Sequence, residues 1–134
     1  MNKNILIESI VKNISRTIIN EAKSDKLVKQ IHRFLVNQFK KRESAVEDFL
    51  FTRDGEDIEV SVYFAIEEIE DFNHPFSIDA GSEWDEIDVT IEYRPDAFPK
   101  HMNELVSELK ETAEHEVEHV LQTFFDLRAR EIRA

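Results

Sequence analysis

The chain contains no cysteine. Disulfide staples and thiolate zinc centres are therefore excluded, and a transition-metal site could be built only from His, Asp, Glu and water. Glycine and proline are scarce, two and three among 134 residues, which does not describe a low-complexity linker. Long apolar runs are missing too. The apolar stretch Met1 to Ile19 is broken by Lys3, Glu8, Lys12 and Arg16, and no small-residue cleavage pattern follows. It reads neither as a signal peptide nor as a membrane span. Positive charge is in short supply: 17 Lys and Arg against 29 Asp and Glu leave a net charge of −12. That balance opposes binding to nucleic-acid phosphates and to anionic membranes. It suits either plain solubility or a preference for basic substrates.

What is present suffices for one core. The apolar fraction is 41%, and the length, residues 1–134, matches a single domain. Residues 4–22 place Ile5, Leu6, Ile10, Val11, Ile14, Ile18 and Ile19 at helical spacing, which predicts a first helix. Ser24-Asp25 reads as a turn and N-cap. A second helix follows, with Leu27, Ile31, Phe34, Leu35 and Gln38 in register.

From Glu47 the period changes to two. Phe49 and Phe51 alternate up to Asp54-Gly55, a hairpin signal. Ile58, Val60, Val62, Phe64 and Ile66 then share one strand face. Residues 69–84 read as an irregular connection with a short strand at Phe76–Ile78. Ile87, Val89, Ile91 and Tyr93 alternate with Asp88, Thr90 and Glu92 in a further strand, ended by Pro95 and Pro99. A long final helix starts near His101 and carries an apolar stripe from Met102 through Leu109 and Val117 to Phe124. The expected class is α+β: two N-terminal helices, a small, mostly antiparallel twisted sheet, and a long C-terminal helix.

That helix contains His115-Glu116-Val117-Glu118-His119. Histidines four apart lie on one side of a helix, so both imidazoles can reach one ion. Zinc accepts imidazole nitrogen, and catalytic sites typically keep three protein ligands and an open position. In the H-E-x-x-H pattern the glutamate beside the first histidine is the general base. The alternative is a solvated, glutamate-rich helix face.

The stretch Ala113 to Gln122 resembles the active-site helix of zincin metallopeptidases, in particular small H-E-x-x-H-x-x-Q proteins of bacteriophages and bacteria. The resemblance implies His115 and His119 as Zn2+ ligands and Glu116 as the catalytic base. It implies a peptide or protein substrate paired with an edge strand, for which Ile87–Tyr93 is the candidate. It also implies a cytoplasmic location, that of the host cell if the chain is phage-encoded. The metzincin continuation is absent, since Gln122 and Phe125 stand where glycine and a third histidine are required.

The third ligand stays open. Glu131, in Glu131-Ile132-Arg133-Ala134, resembles the ligand helix of the phage-type proteins but needs a chain reversal between Phe124 and Arg130. Without one it is a terminal charge. Asp126 would lie about 10 Å along a straight helix. His101, Asp88 and His74 are further candidates, or the sequence is a shortened form of a longer parent. Gln122 could orient a ligand from below His119, and His32 reads as solvated. The expected function is zinc-dependent peptide hydrolysis. The alternatives are a catalytically inactive zincin-like binding or assembly module and a helix-mediated oligomer.

Overall fold

The structure, a computed structural model, describes residues 24–53 and 55–133, from 125 onward through the backbone. Residues 24–41 form helix α1, in which Leu27, Ile31, Phe34 and Leu35 are buried as their spacing requires. Ser24 and Asp25 are already helical, so the expected turn there is not formed. The helix expected over 4–22 lies outside the described residues, which hold one helix ahead of the sheet. The chain leaves α1 through Arg42, in the left-handed region at φ 56. Its guanidinium donates to the Phe39 carbonyl and lies 4.0 Å from the centroid of the Phe39 ring. A cation satisfying a last-turn carbonyl is a stable helix end.

Four strands follow: β1 (Ala45–Arg53), β2 (Glu56–Glu68), β3 (Phe76–Glu83) and β4 (Glu86–Tyr93). Their spatial order is β1-β2-β4-β3. The pairs β1–β2 and β3–β4 are antiparallel, and β2–β4 is parallel, which makes the sheet mixed. Gly55 has φ 81 in the β1–β2 connection, a value that favours glycine. The strand Ile87–Tyr93, expected at the edge, is interior: β4 is hydrogen-bonded on both sides, and the edges are β1 and β3. β3 also extends well past Ile78. Ala80-Gly81-Ser82 pair with β4, and the reversal falls instead at Trp84-Asp85, where Trp84 has φ 55.

One sheet face is covered. Ile58, Val60, Val62 and Phe64 of β2 and Ile87, Val89, Ile91 and Tyr93 of β4 are buried against the helices. After a 3-10 turn at Pro95–Ala97, helix α2 runs from Met102 to Arg133. Leu105, Leu109, Ala113, Val117, Val120 and Leu121 are its buried stripe. Each fully buried leucine or valine contributes roughly 1.5–3 kcal/mol of transfer free energy. Phe34 packs edge-on against Phe49 and Phe64, fixing α1 over β1 and β2. His32, expected in solvent, is half-buried and its Nε2 donates to the Val106 carbonyl at 2.8 Å, tying α1 to α2. Among the described residues no helix is long and apolar enough to cross a membrane.

Candidate metal centre

The stripe that buries α2 also sets where its polar residues point. With Ala113, Val117, Val120 and Leu121 inward, His115 and His119 fall on the exposed flank, and Glu116 lies between flank and core. The two imidazole rings are 4.2 Å apart between centroids, inclined by 55°. Their ligand nitrogens and a Glu116 carboxylate oxygen all lie within 4.8 Å of one another. Among the described residues this is the one group of three or more such side chains placed to hold a metal ion.

Glu116 is 4% exposed, and its Oε2 is buried without a hydrogen-bond partner. A buried carboxylate oxygen lacking a donor costs on the order of 1–3 kcal/mol. A cation between two imidazoles and this carboxylate would remove that cost, so the residues present fit a metal ion. Two nitrogens and one oxygen form a donor set that suits zinc among other transition metals.

The centre faces the outer edge of β3, which pairs with no further strand among the described residues. An open cleft of about 520 Å³ is lined by Ile78, Asp79 and Ala80 of β3 and by Glu111, Thr112, His115 and Glu116 of α2. The register shows what that edge offers. The Arg94 N–H donates to the Pro75 carbonyl, one step beyond the pair Phe76–Tyr93. Alternation along an antiparallel ladder then turns the N–H and C=O of Ile78 and Ala80 away from β4. They point outward, on the cleft side, where among the described residues no strand pairs with them. The sequence reading missed these residues. Their signal was the alternation Phe76, Ile78, Ala80, obscured by Gly81.

The other sequence candidates are not brought to the pair. Helix α2 is continuous to Arg133, so the reversal that Glu131 requires is absent. Twelve residues of helix separate Glu131 from His119 by about 18 Å along the axis, and seven leave Asp126 about 10 Å away. His101 precedes the first turn of α2, and its Nδ1 is 3.4 Å from Glu104. Asp88 alternates with the buried Ile87 and Val89 and therefore points to the opposite sheet face. His74 stacks edge-on with Phe72 in the β2–β3 connection. Gln122 donates to Glu118 at 3.2 Å rather than to a histidine.

No protein-family model, no curated protein and no solved structure matches the chain.

Proposed function

We propose that the protein is a zinc-dependent peptidase in which His115 and His119 hold the metal and Glu116 is the general base. The observation that carries this reading is the convergence of two imidazoles and a buried, unpartnered carboxylate oxygen beside the outermost of the described strands. When bound, zinc would supply Lewis acidity, which eases deprotonation of water and polarises a carbonyl. Glu116, removed from bulk water, accepts a proton from the attacking water and returns it to the leaving amine. Ile78 and Ala80 of β3 hold an extended peptide through their outward backbone groups, in the manner of strand addition. Measured zinc content and peptidase assays on wild type and Glu116→Gln test the reading. Hydrolysis unchanged in that variant removes the mechanism.

A second reading is favoured by one feature of the cluster. Among the described residues the third group within reach of both histidines is Glu116 itself. If Glu116 is a ligand, it cannot also be the free base, and the domain is a metal-holding, zincin-like binding or assembly module without hydrolysis. Glu116→Gln separates the two. Zinc retained with hydrolysis lost identifies a base, and zinc affinity lost together with no wild-type hydrolysis identifies a ligand.

A further inference from the structure

The helices cover one face of the sheet, and among the described residues no element packs on the other. Its outward positions carry carboxylates on every strand. On β1 and β2 they include Asp48 and Glu59, on β4 Glu86 and Asp88, and on β3 Asp79 and Glu83. Arg53 is the one basic residue in the four strands, and it sits on the other side, lining a cleft with Val28 and Leu121. On the open face the strand residues therefore hold acids without a basic residue among them. It also places like charges directly opposite: Glu83 faces Glu86 across β3–β4, and Glu67 is the register partner of Glu92. Such pairs destabilise a sheet, so their presence is not explained by folding.

Apolar side chains stand among these acids. Val46 is 58% exposed and is the register partner of Tyr63, 38% exposed. Beside them an open cleft of about 370 Å³ is lined by Val46, Tyr63, Ala65 and Thr90. Leu50 is 65% exposed, and Trp84, at the β3–β4 turn, is 61% exposed. Trp84 is held at φ 55, where a bulky L-residue is rare, so its display costs backbone strain. The field of the acids is visible at Tyr63. Its phenol is pushed above the usual tyrosine range, chiefly by Glu86, then by burial, Asp48 and Asp88.

We propose that this open face is a docking surface for a partner protein presenting a segment in which lysine or arginine alternates with apolar side chains. Charge complementarity selects that occupant. A second copy would bring an identical acidic face and be repelled, and nucleic acid and anionic lipid are repelled in the same way. The apolar strip of Val46 and Tyr63 distinguishes a polypeptide from a simple cation, since exposed aromatic and aliphatic groups give a partner anchors. The surface lies across the sheet from His115 and His119 and does not depend on what they do.

The full chain, kept metal-free in chelator, is titrated with a synthetic peptide of alternating lysine and leucine. Trp84, the single tryptophan, reports by fluorescence. Saturable binding that weakens with salt is expected. In Asp48→Asn/Glu86→Gln/Asp88→Asn the affinity should fall about tenfold or more, with an unchanged circular dichroism spectrum. Val46→Ser/Tyr63→Ser should weaken binding as well, and an alternating lysine–serine peptide should bind about tenfold less tightly. Unchanged affinity in the charge-neutralised variant overturns the proposal. So does equal affinity for the lysine–serine peptide, which marks an unspecific polycation effect. A wild-type dimer dispersed by the Val46/Tyr63 change would assign the face to a second copy instead.

Discussion

The imidazole rings of His115 and His119 lie 4.2 Å apart, on successive turns of α2, with the Glu116 carboxylate within 4.8 Å of both. A metal bound by this arrangement binds the folded chain alone, because the unfolded chain cannot hold the three groups together. Zinc at 100 times its Kd should then stabilise the protein by about 2.7 kcal/mol. Thermal melts with and without zinc measure this, and His115→Ala or His119→Ala should abolish the shift. A full shift retained in either variant would show that the ion sits elsewhere.

Glu116 should trade stability for function. Its Oε2 is buried and unpartnered, so Glu116→Leu should raise the stability of the metal-free protein by roughly 1–3 kcal/mol in urea titrations. The same change should lower any peptidase rate by about 100-fold or more. A metal-free Glu116→Leu protein less stable than wild type would mean that the carboxylate is satisfied by something the protein supplies.

Much of this is legible in the sequence. Period-two alternation identified Ile58 to Phe64 and Ile87 to Tyr93 as half-buried strands, and the stripe from Met102 to Phe124 gave α2 and its two exposed histidines. Local pattern could not give strand order. The resemblance alone puts β4 at an edge, whereas both of its ladder edges are paired, and Asp88, Thr90 and Glu92 face the open side of the sheet. Nor could it place the β3–β4 reversal. Gly81 is a turn signal, but pairing with Asp88 keeps it in the strand, and Trp84 takes the left-handed conformation instead. Glu131 failed for the same reason in reverse. Its Glu-Ile-x-Ala pattern is local, while the continuity of α2, an outcome of helix propagation without glycine or proline, keeps it away from the two histidines.

Substitutions on β3 should separate the ladder from the free edge. The Asp79 N–H points toward β4 and the Ala80 N–H points outward. Asp79→Pro should therefore break a ladder bond and lower the melting temperature clearly. Ala80→Pro should be tolerated, as proline is on an edge, while removing a donor for extended peptide. Raised KM for peptide substrate in Ala80→Pro, with a nearly unchanged melt, is the expected result. The reverse ranking, with Ala80→Pro the more destabilising, would show that the ladder phase is shifted by one residue.

The two tyrosines provide a pH test of both sheet faces. The Tyr63 phenol is raised by Glu86 first, and the Tyr93 phenol by burial first and then by Glu68, with Arg42 pulling the other way. In the unfolded chain both should ionise at about 10. A raised native value means that the fold favours the neutral phenol. That contribution to stability is complete below the unfolded value and is lost as pH rises through the native ones. Absorbance at the tyrosinate band should therefore show native midpoints above that of the urea-unfolded protein, with stability declining over the same interval. Glu86→Gln should lower the Tyr63 midpoint and leave Tyr93 in place, since Glu86 acts on the open face and Tyr93 is buried among Phe39 and Phe98. Native and unfolded titrations that coincide would show that the open face does not generate the negative field its carboxylates imply.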